Sequence, residues 1–122
     1  MALLADYILD LALAELDTAT ATLYITNAEA TTYTQASSTF KLGTKTSLSI
    51  GSPTDRSPNG RKVTVAAITD GVVDSTGTAT HWAITKSGTT LMATGALSSS
   101  QSVTAGNTFT LDAFDVGIPD AV

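Results

Sequence analysis

The chain holds few residues that perform acid–base or nucleophilic chemistry. Its 122 residues include one histidine, His81, and no cysteine. A Ser-His-Asp triad would have to use His81, but no serine stands in the G-x-S-x-G pattern of a nucleophile elbow. A lone histidine on a strand, next to Trp82, is typical of a packed residue held by hydrogen bonds. The sequence therefore predicts that the protein is not an enzyme, and the competing hypothesis of a small hydrolase depends on His81 alone.

Metal and cofactor sites also lack the residues that they need. Zinc sites use clusters of Cys and His, which a single histidine does not provide. Asp112, Asp115 and Asp120 are potential oxygen ligands for Ca²⁺, but they lack the close spacing of a calcium-binding loop. The sequence does not exclude a pair of carboxylates for glycoside hydrolysis, although Glu15 and Glu29 are the only glutamates. The glycines show no phosphate-binding fingerprint, so we expect no cofactor and no metal.

The composition is that of a folded chain with few charges. Hydrophobic residues make up 43% of the chain and charged residues 14%, whereas a typical globular protein has about 25% charged residues. Disordered chains combine low hydrophobicity with high net charge, so disorder is not expected. A net charge of -5 with only six basic residues disfavours nucleic acid as a partner, because phosphate binding needs clustered Lys and Arg. The uncharged surface suits contacts with other subunits.

An apolar helix is predicted from Ala2 to Leu16. The segment is rich in Ala and Leu and contains no Gly or Pro. At about 100° per residue, apolar side chains cover most of its circumference, and such a helix needs burial on more than one side. It packs either against its own sheet alone or between that sheet and a neighbouring subunit. For the second arrangement, the expected interface residues are Leu4, Tyr7, Ile8 and Leu11.

The same segment is not expected to direct the chain into or through a membrane. It lacks a basic region and includes Asp6, Asp10 and Glu15, unlike a secretion signal, which starts with basic residues and continues into an apolar stretch. It is also too short and too acidic to span a bilayer. We therefore expect synthesis in the cytoplasm and no membrane partner.

The rest of the chain alternates short β-type runs with turn residues. Thr is frequent, and its branched side chain favours strands. Turn signals at regular spacing predict an all-β fold, an antiparallel β-sandwich or jelly roll with one N-terminal α-helix. Two parts are expected, a helix over residues 1–17 and a single β-sandwich domain over 18–122. The predicted strands are 18–26, 39–50, 61–69, 72–74, 78–85, 89–97, 101–104 and 108–114.

Several positions within this pattern have specific predicted roles. Gly43 is expected at a bulge or bend, and Asp70-Gly71 is expected to form a hairpin turn. In the segment 78–85, alternation places Thr78, Thr80, Trp82 and Ile84 on one face and the other four residues on the opposite face. Residues 98–100 are expected to form a polar connector. The predicted core of the module contains Trp82, Ile84, Leu91, Phe109 and Phe114.

Two loops carry the remaining candidate contacts. The polar segment 27–38 has one large anchor, Tyr33, which is a predicted interface residue. The segment 51–60 contains two prolines and two glycines and is predicted to be a loop. Arg56, Arg61 and Lys62 cluster in and beside it. They are either flanking charges of a solvated loop or part of a docking loop for an acidic surface, and Arg56 and Arg61 are predicted interface residues for the second case.

The runs PNGRKVTVAAITDG, TGTATHWAI and LMATGALSSSQSVTAGNTFTLDAFDVGIPD resemble small virion proteins of tailed bacteriophages. The resemblance extends from Pro58 to Asp120 and consists of strand and turn residues, so it assigns no role to a single residue. It implies a structural virion protein made in the host cytoplasm. Within this class we expect a capsid cement or decoration protein that binds the shell of the major capsid protein, stabilises it, and forms dimers or trimers.

An alternative within the virion is a module of a tail, neck or baseplate fibre that binds a host receptor, including a glycan. The predicted β-fold allows this function. However, aromatic residues make up only 6% of the chain, whereas a groove-type sugar site usually has more of them. We therefore expect the capsid surface to be the position of the protein.

Overall fold

The computed structural model describes residues 5–16, 21–57, 60–86 and 89–118 of the chain. The fold is all-β, with antiparallel strands in a curled, sandwich-like arrangement and one short helix, as predicted. The elements are α1 Asp6–Ala14, β1 Thr22–Thr26, a π-helical turn Gln35–Thr39, β2 Lys41–Thr46, β3 Thr54–Asp55, β4 Arg61–Val65, β5 Ile68–Val73, β6 Gly77–Lys86, β7 Thr90–Val103, β8 Thr108–Leu111 and β9 Phe114–Ile118.

The described strands form two antiparallel sheets. The larger sheet has six strands in the order β7-β6-β1-β2-β5-β8, and the smaller has three in the order β3-β4-β9. Side chains from both sheets and from the helix form one core. The buried residues of this core include Leu13, Leu23, Ile25, Val63, Val65, Trp82, Ile84 and Phe109.

The helix covers the smaller sheet with one of its faces. Leu9, Leu13 and Leu16 are buried, and α1 contacts β4 and β9. Their spacing of three and four residues places them on the same side of a helix. The predicted helix is therefore confirmed between Asp6 and Ala14, whereas Ala2 to Leu4 lie outside the described residues.

Two pairs of strands change sheets at a shared corner. β4 continues into β5 through residues 66–67, and β8 continues into β9 through residues 112–113. Val65 pairs with Phe114 on one side of this corner, and Ile68 pairs with Leu111 on the other. The segment β4–β5 and the segment β8–β9 bend together because each provides the other's hydrogen-bond partners. Strands that change sheets through such bends build the corners of sandwich folds. The single strands predicted over 61–69 and 108–114 are therefore wrong, since each is two strands.

The predicted hairpin turn at Asp70-Gly71 is also wrong, because both residues lie inside β5. A register shift falls between Ile68 and Gly71, where β5 pairs with β8. A side chain at Gly71 would overlap the ring of Phe109. The glycine therefore marks a close approach of an aromatic ring to the backbone, not a turn. Gly43 likewise lies beside a bulge, as predicted, where β2 shifts register against β1.

The longest strand, β7, combines two predicted strands and the connector between them. Residues 97–100 of β7 lie opposite the single residue Thr80 of β6, since Ala79 pairs with Gln101 and His81 with Ala96. This bulge of four residues against one interrupts the alternation of side chains. Ala79 consequently joins Trp82 and Ile84 in the core, and the prediction that Thr78 and Thr80 share the face of Trp82 is wrong.

Helical backbone interrupts the segment that was predicted to be a loop at 27–38. The π-helical turn Gln35–Thr39 packs on the outer face of the larger sheet through Ala36, which is buried with Ala30 and Ala83. Leu91 is only half-buried and lies against this second cluster. The prediction that Leu91 belongs to the main core is therefore wrong. The predicted loop 51–60 contains the short strand β3, which pairs with Lys62 and Arg61.

Candidate binding groove and docking face

The larger sheet curls until its two edge strands, β7 and β8, face each other across a seam. A turn over residues 104–107 joins the two strands at one end of the seam. In this turn the N–H of Gly106 donates to the carbonyl oxygen of Val73 at 3.0 Å, and the N–H of Ala105 donates to Thr76 Oγ1 at 3.0 Å. β7 and β8 do not pair as a ladder. Antiparallel neighbours joined by a short turn normally pair, so the seam is an interrupted closure of a barrel-like sheet.

One side chain bridges the seam. Gln101 on β7 donates a hydrogen bond from Nε2 to the carbonyl oxygen of Thr110 on β8, at 2.9 Å. Beyond this bond, β7 bulges at 97–100 and β8 ends at the corner 112–113, from which the chain continues into the smaller sheet, and residues of both segments line an open space. The seam therefore widens with distance from the turn and becomes a groove.

The groove has a volume of about 490 Å³, within the range of about 300–1,000 Å³ that is usual for small-molecule sites. Its floor includes two aromatic rings, those of Trp82 and Phe114. Their centroids are 4.7 Å apart and their planes are tilted by 37°. The lining residues are Trp82, Ala96, Leu97, Ser98, Ser99, Gln101, Thr110, Leu111, Asp112, Ala113 and Phe114.

Gly95 allows Trp82 to lie flat against the strand that forms one wall. The two residues are direct cross-strand partners. A Cβ atom at Gly95 would lie 2.7 Å from Cζ2 and 3.0 Å from Nε1 of the indole, too close for any side chain. The absence of a side chain at Gly95 thus leaves room for the indole ring at this position. Aromatic residues often pack in this way over a glycine on a neighbouring strand.

Polar groups line the rim and the walls of the groove. Ser98, Ser99 and Asp112 are exposed, and Asp112 makes no hydrogen bond or ion pair with any described residue. Among the described residues that line the groove, none is basic. The groove therefore offers hydroxyl groups, one carboxylate and an aromatic floor to a ligand, without a cation to hold an anion.

A second candidate surface is the outer face of the helix. The exposed fractions of Tyr7, Ile8 and Leu11 are 69%, 46% and 51%. Three of the four predicted interface residues of the helix are therefore exposed on one apolar face, while Leu4 lies outside the described residues. Scattered exposed apolar side chains are normal, but these three are neighbours at helical spacing and form a contiguous patch.

Arg61 fixes the helix on the smaller sheet. Its Nε donates to Oδ1 of Asp10 in the helix at 2.8 Å, and its Nη1 donates to Oδ1 of Asp55 at 2.6 Å. The hydrogen bond to Asp10, and to a smaller extent the one to Asp55, raises the pKa of Arg61 above its ordinary value. The guanidinium is thus engaged inside the protein. Its role in the described structure is to hold the helix, and its predicted contact with a partner stays a prediction.

The other basic residues near the 51–60 loop are also engaged with acidic groups or half-buried. Lys62 Nζ lies 3.0 Å from Oδ2 of Asp115, and the hydroxyl of Thr64 donates to the same carboxylate at 2.6 Å. The hydrogen bonds from Thr64 and Lys62 hold the pKa of Asp115 below its ordinary value. Arg56 is half-buried. The internal pairing weakens the hypothesis of a free basic loop that docks on an acidic surface.

Tyr33 lies on the opposite side of the molecule from the helix, beside the π-helical turn. Tyr33 is half-buried. The burial of Tyr24 and its hydrogen bond with Tyr33 raise the pKa of the Tyr24 hydroxyl. Tyr24 packs against the small cluster of alanines beneath the turn. Tyr33 therefore anchors the segment 27–38 to the sheet, and its predicted role in an interface stays a prediction.

Of the residues considered for chemistry, His81 lies in β6, Asp112 between β8 and β9, and Asp115 in β9, while Asp120 lies outside the described residues. Nδ1 of His81 lies 2.8 Å from the hydroxyl of its neighbour in the chain, Thr80. Within the described ranges, no group of three or more His, Asp or Glu side chains is arranged to hold a metal ion. No helix in the described part of the chain is long and apolar enough to cross a membrane.

The sequence did not predict the groove, and it assigned other roles to those of its lining residues that it singled out. Trp82 and Phe114 were predicted to be core, and residues 98–100 to be a connector. The signal that was available is the run of small polar residues between two β-type segments, which is typical of a bulge as well as of a loop. Comparisons with protein-family models, with curated proteins and with solved structures found no match for this chain.

Proposed function

We propose that the protein is a structural component of a virion, a capsid cement protein that docks on the major capsid protein through the outer face of α1. The observation that carries the proposal is the exposed apolar patch of Tyr7, Ile8 and Leu11 on a helix whose opposite face is buried. The sequence resemblance to small virion proteins of tailed phages supports the same function.

The patch is suited to docking because it is presented rigidly. Leu9 and Leu13 bury the inner face of the helix, and the ion pair of Arg61 with Asp10 fixes its middle. A surface that is ordered before binding loses little conformational entropy when a partner covers it. Fully burying a large apolar side chain contributes about 1.5–3 kcal/mol, so covering these three half-exposed residues contributes on the order of 3–5 kcal/mol.

Many weak contacts of this kind are enough for a cement function. A protein that binds the assembled shell but not its free subunits shifts the equilibrium toward the shell by mass action. Binding at many equivalent positions, and association of the protein into dimers or trimers, would raise the effect through multivalency.

Localisation on the particle tests this proposal. Antibodies against the protein are applied, with immunogold detection, to purified particles of a phage whose genome encodes it. The expected result is a label distributed over the capsid surface. A label at one vertex or along the tail contradicts the cement function, and absence of the protein from particles by both labelling and mass spectrometry contradicts any virion function.

The second candidate function is a receptor-binding module of a tail, neck or baseplate fibre. The groove between β7 and β8 favours it, because its aromatic floor and polar rim resemble the lining of a small-molecule site. A label confined to the tail or neck in the immunogold experiment would support this function over the cement function.

A further inference from the structure

We propose that the groove between β7 and β8 is a binding site for a neutral saccharide. This inference goes beyond the docking function of the helix, because the groove and the exposed face of α1 consist of different residues. It holds whether the protein lies on the capsid or on the tail.

The first argument is the indole N–H of Trp82. The residue is only 8% exposed, and no described residue accepts a hydrogen bond from its Nε1. No buried side-chain nitrogen or oxygen lacks a partner in the described part of the chain. This N–H therefore keeps some exposure to solvent, and no described residue accepts a hydrogen bond from it, in a residue that lines the groove. Tryptophan N–H groups at buried positions usually have a hydrogen-bond partner, which a ligand would supply.

The second argument is the set of polar groups that line the groove. Asp112 provides acceptor oxygens only, while Ser98 and Ser99 provide hydroxyls that both donate and accept. Asp112 has no partner among the described residues. A sugar has neighbouring hydroxyl groups that also donate and accept, so it can satisfy a carboxylate and hydroxyl groups of the lining together. The lack of a basic side chain in the described lining disfavours phosphate, carboxylate and nucleic-acid ligands.

The third argument is the shape of the groove. The hydrogen bond of Gln101 to Thr110 holds the two strand edges within one side-chain length of each other. An inserted peptide strand would need about 4.8 Å to the strand on each side, so the bond blocks insertion at that level. The groove is open only beyond Gln101, over the rings of Trp82 and Phe114. A compact ring fits such a short, blind groove better than an extended chain, with its apolar face against Phe114.

The site is tested through the fluorescence of Trp82, which is the only tryptophan in the chain. The full chain is titrated with the methyl glycosides of glucose, galactose and N-acetylglucosamine. For at least one of them we expect a saturable change in emission with a dissociation constant on the order of 1 mM, the affinity that typical ligand efficiencies give to a ligand of this size. The glucuronide should bind at least about fivefold more weakly, because Asp112 repels its carboxylate.

The variant Asp112→Asn should weaken saccharide binding about tenfold, the effect of losing a charged hydrogen bond, and should leave the thermal midpoint unchanged because Asp112 is exposed. Asp70→Asn is the matched control, since Asp70 is an exposed aspartate of β5 outside the groove, and its affinity should stay within about twofold. No saturable change with any neutral glycoside, equal binding by Asp112→Asn, or a change produced only by a capped tetrapeptide would each overturn the proposal.

Discussion

Gln101 and Thr110 are joined by a hydrogen bond of 2.9 Å between a side-chain amide and a backbone carbonyl, and this bond links the two edge strands of the six-stranded sheet. A side chain thus takes the place of a backbone ladder. Because the two strands diverge on one side of this bond and meet in a turn on the other, the position of Gln101 sets where the groove ends.

The first prediction concerns this bond. Gln101→Ala should lower the free energy of unfolding by about 1 kcal/mol, the usual net contribution of a hydrogen bond. Hydrogen exchange should accelerate at the backbone amides of β8, while the amides of β1 and β2 in the middle of the sheet should keep their protection. The measurements are chemical denaturation and hydrogen–deuterium exchange. Ser102→Ala, an exposed change on the same strand, is the control, and equal exchange rates in both variants would show that the seam does not depend on Gln101.

The second prediction concerns the clamp between the helix and the smaller sheet. Arg61→Met keeps much of the apolar stem but removes the hydrogen bonds to Asp10 and Asp55, and it should lower the free energy of unfolding more than the control variant does. Lys62→Met is the matched control, because Lys62 makes a single surface ion pair with Asp115 that contributes about 0–1 kcal/mol. Urea unfolding of both variants measures the difference, and similar losses would contradict the special role of Arg61.

The third prediction separates the two faces of α1. Ile8→Asp changes an exposed position and should leave the thermal midpoint within a few degrees, but it should abolish oligomerisation and binding to the particle if the outer face is the docking face. Leu9→Ala changes the adjacent, buried position and should cost about 2–5 kcal/mol in stability. Light scattering after size exclusion and thermal unfolding give the two readouts. A variant Ile8→Asp that unfolds as readily as Leu9→Ala would mean that the helix is only part of the core.

The fourth prediction concerns acid. The folded-state pKa of Asp115 is lowered by the hydrogen bonds from Thr64 and Lys62. A carboxylate of this kind stabilises the folded state above its ordinary pKa of about 3.9, and the contribution disappears as the pH falls through the lowered value. The wild-type protein should therefore lose more stability as the pH falls below about 4 than Asp115→Asn does.

Thermal unfolding across this pH range measures the effect. Thr64→Val removes the largest cause of the lowered pKa but keeps the contact of Lys62 with Asp115, so its slope of stability against pH should lie between those of the wild type and Asp115→Asn. Parallel profiles for the wild type and both variants would contradict a stabilising role of the ionised Asp115.

Local sequence determined the kinds of elements in this chain and part of its core. The Ala- and Leu-rich N-terminus predicted the helix, and branched and aromatic residues at alternating positions predicted strands around Trp82 and Phe109. These predictions hold because helix and strand preferences act over a few residues. The all-β class follows from the number and spacing of such runs.

Tertiary structure decided where strands end, change sheet or bulge. The run from Arg61 to Thr69 looks like one strand, but Val65 pairs with Phe114 in the smaller sheet and Ile68 with Leu111 in the larger. Likewise, residues 97–100 bulge because the β7 residues on either side of them pair with the β6 residues that directly precede and follow Thr80. Each outcome depends on partners far away in the chain, which a local pattern does not encode. The groove, whose floor joins Trp82 of β6 to Phe114 of β9, exists only once those distant pairings have formed.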